Sequence, residues 1–449
     1  MSGMRTLLLY GILFVLLTLS FVRNQWGVVE TSWFYKHQLY AESLVFGRIV
    51  KANQDGFFSS GMLPGWVGPV PESEEVKYWQ YEAYKDDLPF ETYEPYRSHP
   101  SWHVAAFVFL DAVSPFSKER NIPVFHLVNS MMLACTLLLF VGLVAREIGK
   151  AAGILVFLSI LFSPWITVFS WNSWWVLWAY FVPFFACWYL VRGGAPALKR
   201  VALWIFAAAL FKCVMTGYEY VTTAYGMMLV PMAYFAAKDR WGWGAWTKRV
   251  FTAAGVSVVA TLVSMAILVT ENASESGSLR TGVDHIVETV ARRAYGSDTA
   301  KYTNFPGPKA QKMIESLEAS TWETVVPYFG GVAYDFSEML GPAFSWTKAP
   351  FGAVVLLALA LTLATFFTGR LREDRRAVAM AAAVWWGFVS SISWLVLFKA
   401  HSHVHYHINY IVWHLPFVMF VFAQLGCVLQ GAMANRRAPD SETRERRAS

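Results

Sequence analysis

The chain is poor in charge, in cysteine and in nucleotide-binding motifs. Only 15% of its 449 residues are Asp, Glu, Lys or Arg, well below the ~25% that is usual in soluble domains. Its four cysteines all fall in apolar segments, which excludes a disulfide framework and a cysteine-based metal site. There is no P-loop, no dinucleotide-binding fingerprint and no repeat of fixed period. These absences exclude a soluble nucleotide-dependent enzyme and argue against a transporter built from repeats.

What the chain has in abundance is apolar sequence. Hydrophobic residues make up 56% of it, and apolar runs of about 20 residues recur along most of its length. This pattern predicts an all-α polytopic membrane protein with about ten transmembrane helices and two long outer-face loops. The predicted spans are Thr6–Val22, Ile122–Arg146, Ala151–Phe169, Trp174–Val191, Arg200–Met215, Glu219–Ala237, Val250–Thr270, Pro350–Gly369, Ala377–Phe398 and Tyr410–Leu429.

The distribution of charge between these spans predicts their orientation. The short loops and the C-terminal tail are rich in Lys and Arg, and ten spans place all of them in the cytoplasm. The formal net charge of +6 is explained in this way and does not indicate a nucleic-acid partner. We expect a protein of the bacterial inner (plasma) membrane with its active site on the periplasmic or outer face. The expected parts are the first span (1–22), the first outer loop (23–121), spans two to seven (122–270), the second outer loop (271–349), spans eight to ten (350–430) and a cytoplasmic tail (431–449).

Residues 101–117 are the ambiguous segment in this topology. The segment is apolar, but it is only about 17 residues long and carries His103 and Asp111. If it spanned the membrane, Arg146 and Lys150 would move to the outside. We therefore predict a helix that lies at the outer surface, with a short eleventh span as the alternative.

Half of the ten histidines lie within fourteen residues near the C-terminus. Imidazoles at a membrane surface can bind a metal, hold an anionic headgroup or move protons. Lys399 and Asn409 accompany the cluster and no carboxylate lies near it in sequence, which favours binding of a phosphate. A divalent metal site and a solvated polar loop are the alternatives. The clustered residues are His401, His403, His405, His407 and His414.

Glu30 follows the first predicted span closely. A carboxylate in a partly apolar setting can act as a general base on an acceptor hydroxyl or amine. The alternative is a charge that the helix macrodipole favours. Glu30 and His37 are seven residues apart, so on an amphipathic surface helix they share one face.

Aromatic residues interleaved with Asp, Glu and Arg occupy the rest of the first outer loop. Such side chains suit a sugar, because the rings stack on its C–H faces while polar groups take its hydroxyls. An interfacial aromatic belt is the alternative. The candidates for sugar binding are Trp79, Tyr81, Tyr96 and Trp102.

The order of these parts is informative. A carboxylate follows the first span at once, a long outer loop closes with His99-Pro-Ser-Trp-His103, and a later span ends Leu161-Phe-Ser-Pro164-Trp. This order resembles the GT-C superfamily of membrane glycosyltransferases, in particular the branch of the protein O-mannosyltransferases and the lipid A aminoarabinose transferase. The resemblance covers roughly residues 1–191.

The resemblance implies that a sugar is transferred from a polyprenyl phosphate or diphosphate on the non-cytoplasmic side, with Glu30 as the catalytic base. It also implies that Arg97 and His99 contact the donor phosphate. Many relatives carry a second acid where this chain has Asn172, and this departure argues against a two-carboxylate, metal-assisted scheme. No cofactor is assigned, with a divalent metal as the alternative. The expected partners are a polyprenyl-phosphate sugar donor, membrane lipids and a glycan, lipid or protein acceptor.

Two further alternatives stay open. Lys212 lies close in sequence to Glu219, at the outer ends of the fifth and sixth spans, and it either pairs with Glu219 or holds a lipid phosphate. The second choice of function is a transporter or flippase for an anionic or lipid-linked solute, with the histidines as a proton relay. A transporter predicts broken helices and polar groups near the middle of the bilayer, whereas the charges here gather at the outer ends of the spans.

Overall fold

The computed structural model describes residues 2–295, 299 and 308–437, and most of these residues are helical. The end of the predicted cytoplasmic tail, 438–449, lies outside the described residues. The helices of the first half are α1 (Ser2–Arg23), α2 (Thr31–His37), α3 (Leu39–Asp55), α4 (Val76–Lys85), α5 (Trp102–Val113), α6 (Lys118–Glu147), α7 (Lys150–Leu161), α8 (Pro164–Ser170), α9 (Val182–Val191), α10 (Leu198–Thr216) and α11 (Val221–Lys238).

The second half of the chain continues the helical bundle. Its helices are α12 (Trp243–Ser276), α13 (Leu279–Arg293), α14 (Pro308–Glu318), α15 (Thr321–Val325), α16 (Pro327–Gly330), α17 (Ser337–Leu340), α18 (Phe351–Phe367), α19 (Gly369–Glu373), α20 (Arg375–Leu397), α21 (Lys399–Val404) and α22 (Phe417–Arg437). Short 3-10 helices cover Ser59–Met62, Leu177–Phe181, Pro342–Thr347 and Asn409–His414.

Among the described residues, five helical segments are long and apolar enough to cross a membrane, and a sixth arises if the bent pair α7 and α8 forms one span. The chain is therefore an integral membrane protein. All ten predicted spans are helical over most of their length, but the other four are shorter or less apolar. The ten-span topology remains a prediction. The five segments are Met4–Arg23, Lys118–Glu147, Trp243–Ser276, Arg375–Leu397 and Asn409–Met433.

The predicted third span is broken between Leu161 and Pro164. The axes of α7 and α8 differ by 63°. Pro164 occupies the first turn of α8, where its missing N–H costs nothing, and Ser163 caps the helix by accepting from the Ile166 amide at 3.1 Å. The sequence Ser-Pro thus starts a new helix in a new direction.

Helix α5 occupies the ambiguous segment 101–117. It has 12 residues, and at 1.5 Å per residue it is about 18 Å long. The hydrocarbon core of a bilayer is about 30 Å thick, so α5 alone is too short to cross it. Its length favours the predicted surface helix over an eleventh span.

Residues 23–121, the predicted first outer loop, are called the first outer segment. They begin with two helices and not with the single amphipathic surface helix that was predicted around Glu30 and His37. Gln38 separates α2 from α3, and Glu30 precedes α2 as its N-cap residue with extended backbone angles. Glu30 and His37 therefore do not share a helix face, and that prediction is wrong. Two short antiparallel strands follow α3, β1 (Gly65–Gly68) and β2 (Thr92–Pro95), with Gly65 opposite Pro95.

A fully buried carboxylate joins this outer segment to the helical bundle. Glu42 on α3 accepts hydrogen bonds from the Tyr81 hydroxyl at 2.5 Å and from the Ser173 amide at 2.7 Å, and it lies 2.8 Å from His126 Nε2. These partners come from α4, from α6 and from the loop after α8. Such complete pairing keeps a buried charge from destabilising the fold.

Residues 271–349, the predicted second outer loop, are called the second outer segment, and their described part packs against the histidine-rich α21. The Lys399 ammonium donates to the carbonyl oxygens of Leu317 and Ala319, at the C-terminal end of α14. A cation is favoured there because the last carbonyl groups of a helix lack partners. A small antiparallel pair, β3 (Val332–Tyr334) and β4 (Ala349–Pro350), closes this segment just before α18.

Candidate functional site

A cavity of about 500 Å³ lies where the two outer segments meet the histidine cluster. This volume is in the range of small-molecule binding sites. Its wall is built from α2 and α3, β1, the loop before α5, the loop after α8, the turn between α10 and α11, helices α13, α14 and α21, and the turn after α21. The ionisable residues of the wall are Lys36, His37, Glu219, Arg292, Arg293, Lys312, His401, His405 and His407, together with the phenols of Tyr40 and Tyr96.

Glu219 is the only carboxylate on this wall among the described residues. Its Oε1 lies 3.0 Å from Arg293 Nη1 and 3.7 Å from His99 Nε2, and its Oε2 lies 3.2 Å from His401 Nε2. Burial raises the pKa of this carboxyl, but Arg293 and His401 outweigh burial and hold the pKa well below its ordinary value. Glu219 is therefore an anion at neutral pH.

The turn that carries Glu219 is fixed from two sides. Gly217 has φ +63°, and a Cβ there would lie 2.1 Å from Nδ1 of His99, so only glycine fits. The Lys212 ammonium donates to the carbonyl oxygens of Gly217 at 2.8 Å and Glu219 at 2.7 Å. Lys212 thus holds the backbone on which the Glu219 carboxylate is presented.

Imidazole rings form a row along the wall. The ring centroids of His401 and His405 are 4.5 Å apart, those of His405 and His407 6.0 Å, and those of His407 and His37 4.4 Å. Burial is the main reason why the pKa of His405 lies well below its ordinary value and that of His407 falls to about 4. The two rings are neutral at pH 7 and can each donate one hydrogen bond and accept another.

The remaining wall is basic and aromatic. Arg292, Arg293, Lys36 and Lys312 bring four formal positive charges against the single carboxylate of Glu219. Arg293 is fixed further by donating from Nη2 to the hydroxyl of Tyr96 at 3.1 Å. The aromatic side chains on this wall are Tyr40, Trp66, Tyr96, Trp174 and Trp175. A phosphate attached to a ring-shaped or apolar group matches such a lining.

Glu30 lines a second and smaller cavity of about 200 Å³, together with Trp33, Trp165 and Asp335. The Glu30 carboxylate is exposed and accepts from the Ser32 hydroxyl at 2.5 Å. Asp335 lies 3.1 Å from the ammonium of Lys348. Helix α2 separates the two cavities. Trp33 lines the small one, His37 lines the large one, and their rings are 5.0 Å apart.

The predicted phosphate-binding residues divide into two groups. His401, His405 and His407 lie on the wall of the large cavity. The others do not line it. Lys212 and Lys399 bond backbone carbonyl groups, and His403 lies 3.4 Å from the Thr324 hydroxyl.

Arg97 and His99 are also set back from the large cavity. The Arg97 carbonyl accepts a 3.3 Å hydrogen bond from Asn272. His99 is buried directly behind Glu219, and this burial lowers its pKa to about 3. His99 therefore supports the cavity from behind, through Glu219 and through its ring contacts with Tyr96 and Trp174.

Only one predicted sugar-binding aromatic, Tyr96, lies on the wall of the large cavity. The Tyr81 hydroxyl donates a hydrogen bond to Glu42. The partly buried side chain of Trp79 packs against the core. Trp102 is 42% exposed and donates from its indole to Glu271 at 2.8 Å. The aromatics that the structure does place there include Trp174 and Trp175, directly after the Asn172-Ser173 turn.

Asn172 has a structural role in this turn. Its side-chain oxygen accepts from the Trp174 amide at 2.7 Å, and its side-chain nitrogen donates to Gln38 Oε1 at 2.8 Å. The residue is fully buried. Asn172 therefore orients Trp174 and does not offer a polar group to either cavity.

Sequence reasoning missed the arginines and lysines of the wall. Arg292, Arg293 and Lys312 belong to the second outer segment, far in sequence from the histidines. Their signal in the sequence was a pair of adjacent arginines at the end of an amphipathic stretch, 279–293. Within the described ranges, no group of three or more His, Cys, Asp or Glu is arranged to hold a metal ion.

The lowered pKa values of His405 and His407 predict a pH dependence. A histidine whose pKa is lower in the folded chain stabilises the fold above about pH 6.5, and this stabilisation is lost as the pH falls towards 4. The melting temperature should therefore fall on acidification from pH 7 to pH 5. A bound anion raises both pKa values, so stabilisation by sodium sulfate, relative to sodium chloride at equal ionic strength, should grow over the same range.

A variant with glutamine at positions 405 and 407 is the control for this titration. It should show a shallower loss of melting temperature and no growth of the sulfate effect. An unchanged pH profile in this variant would place the titrating groups elsewhere.

Comparison of the chain with family models, with curated proteins and with solved structures finds no match.

Proposed function

We propose that this integral membrane protein is a glycosyltransferase that moves a sugar from a polyprenyl-phosphate donor to an acceptor at the outer face of the membrane. The observation that carries the proposal is the basic and aromatic cavity between the first outer segment and the histidine cluster. Four cationic side chains and four imidazoles converge there on a space large enough for a glycosyl phosphate. The resemblance of residues 1–191 to the GT-C superfamily agrees with this proposal.

In this proposal the large cavity holds the donor. Arg292, Arg293 and Lys312 bind the phosphate, and the neutral rings of His405 and His407 donate to its oxygens. These groups stabilise the negative charge that grows on the phosphate as its bond to the sugar breaks. Aromatic faces such as that of Tyr96 seat the sugar ring.

The small cavity holds the acceptor. Glu30 takes the proton of the acceptor hydroxyl or amine, the acceptor atom bonds to the anomeric carbon, and the polyprenyl phosphate leaves with the bonding electrons. Trp33 and His37 lie between the two cavities, four residues apart on α2, which is about 6 Å along a helix axis. This arrangement brings an acceptor beside Glu30 close to a sugar beside His37.

Binding of farnesyl phosphate, a short polyprenyl phosphate, tests the donor site, with farnesol as the ligand that lacks the phosphate. Replacing His405 and His407 together by Ala should weaken binding by about tenfold or more, because each charge-assisted hydrogen bond contributes about 1.5–3 kcal/mol. His403→Ala is the matched control, because His403 faces Thr324 and should leave binding unchanged. Equal loss in both variants, or equal binding of farnesol, would contradict the assignment.

Transfer itself is tested with a panel of polyprenyl-phosphate hexoses added to the protein in nanodiscs. The expected product is free polyprenyl phosphate, released only when an acceptor fraction from bacterial envelopes is present. If the protein bound farnesyl phosphate but released no polyprenyl phosphate from any donor of the panel, it would be a binding protein, and the proposed transferase activity would be contradicted.

A transporter or flippase for a lipid-linked solute is the second candidate, and the break between α7 and α8 favours it. Broken helices are common at transport sites. Buried polar groups accompany this break, since the Ser163 hydroxyl lies 3.3 Å from Nδ1 of His414. Movement of a fluorescent polyprenyl phosphate across proteoliposomes, without release of sugar, would support the transporter over the transferase.

A further inference from the structure

Helix α13 carries an apolar stripe that the rest of the described chain leaves exposed. Leu279, Val283, Val287 and Val290 are 62%, 46%, 62% and 40% exposed. Their spacing of four, four and three residues keeps them within about 80° of one another on a helix. The stripe borders the face that packs on the protein, which carries Gly282, Ile286, Thr289 and Arg293.

The opposite side of α13 is charged and open to solvent. The side chains of Arg280 and Asp284 are 92% and 72% exposed and lie 3.8 Å apart. The helix thus has three sectors, one against protein, one apolar and exposed, and one polar and exposed. This division is typical of a helix that lies in the plane of a membrane surface.

The depth of α13 follows from its packing on α12. A Cβ at Gly282 would lie 3.0 Å from the carbonyl oxygen of Val269, so the two backbones approach closely there. Helix α12 is a candidate span whose apolar window is only 28% buried within the protein, and most of it therefore faces lipid. Val269 belongs to its last apolar turn, directly before the polar Thr270 and Glu271. Helix α13 therefore packs on α12 at the depth at which the apolar part of α12 ends.

We infer that α13 is an interfacial helix whose apolar stripe inserts into the outer leaflet of the bilayer. Its partner is the lipid surface itself. Arg292 and Arg293 end this helix and line the large cavity, so the cavity opens at the depth of the lipid headgroups. A lipid-linked phosphate then enters sideways from the leaflet, with its chain remaining among the lipids. This last step rests on the proposed function, whereas the insertion of α13 does not.

Site-directed labelling tests the insertion. In a Cys135→Ser background, which removes the exposed cysteine, Val287→Cys and Asp284→Cys are each labelled with a fluorophore in nanodiscs of ordinary or brominated phospholipid. Bromine quenches only fluorophores that reach the acyl chains. The label at position 287 should lose at least half of its fluorescence, and the label at position 284 should lose several-fold less. Equal quenching at both positions, or none at either, would overturn the inference.

Entry from the leaflet is tested by replacing both Val283 and Val287 with Asp. Capture of a fluorescent polyprenyl phosphate from the nanodisc bilayer should fall at least tenfold, while stabilisation by sulfate, which reports an intact cavity, should be unchanged. Unchanged capture would overturn sideways entry. Loss of the sulfate effect as well would mean that the stripe supports the cavity itself, which also overturns it. Because neither readout requires glycosyl transfer, failure of the proposed activity would not be confused with failure of this inference.

Discussion

Replacing Arg293 by Met is expected to destabilise the protein and to abolish tight binding of farnesyl phosphate. Arg293 is buried, with Nη1 3.0 Å from Glu219 Oε1. Removing the guanidinium leaves the Glu219 carboxylate buried without its strongest partner, which typically costs about 3–5 kcal/mol. The measurements are the free energy of unfolding in detergent micelles and the dissociation constant of the ligand, which should rise more than tenfold.

Two further variants separate the stability effect from the binding effect. Adding Glu219→Gln to Arg293→Met removes the uncompensated charge, so stability should return while ligand binding stays weak. Arg292→Met is the matched control, because Arg292 lines the same wall while Arg293 makes the ion pair with Glu219. If Arg292→Met destabilised the protein as much as Arg293→Met, the buried pair would not be the cause.

Replacing Glu30 by Gln is expected to reduce glycosyl transfer by about 10²-fold or more. The amide keeps the shape of the side chain but cannot take a proton. Farnesyl phosphate should bind normally, because Glu30 lines the small cavity and not the large one. The measurements are initial rates of sugar release alongside ligand binding for the same preparation.

Asp335→Asn is the comparison for this variant, since Asp335 lines the same small cavity but is already paired with Lys348. It should reduce the rate far less than Glu30→Gln. The reverse order of effects would assign the base to Asp335. Near-normal transfer rates in both variants would show that the small cavity does not take part in the reaction.

The helical segments could be predicted from the sequence, whereas the way in which some of them end could not. Long apolar runs predict the positions of helices such as α6 and α12, because side chains that are buried or face lipid repeat at helical spacing. The apolar run 151–169 was predicted as one helix, but Ser163-Pro164 starts a new helix within it. Similarly, the helical pattern after Glu30 did not predict that Gln38 separates α2 from α3.

The histidine cluster shows how far local sequence can locate a site. Three of its five histidines line the large cavity, but no local sequence pattern separates His405 from His403. Helix α21 ends at Val404, and the turn that follows directs His405 and His407 to the cavity while His403 faces Thr324. Such sorting depends on where a helix ends, which is the least certain feature of any sequence pattern.

The cationic side of the site depends on contacts between distant parts of the chain. Glu219 and Arg293 are 74 residues apart, and Arg293 and His401 are 108 residues apart. Nothing local in either sequence neighbourhood specifies these pairs. Three of the four aromatic candidates do not line the large cavity for a related reason. Trp79 and Trp174 both pack against the core, but of these two only Trp174 also reaches the cavity wall.

The buried Glu42 has a consequence for the order in which the chain matures in the membrane. Its partner Tyr81 is synthesised soon afterwards, but Ser173 follows 131 residues later, beyond the bent pair α7 and α8. At about 5–20 residues per second, the carboxylate waits on the order of ten seconds for its last ligands. Until residues 150–176 have been inserted, α3 cannot bury Glu42 without a large cost. The packing of α3 around Glu42 is therefore completed only after the chain up to Ser173 has been synthesised and placed against it.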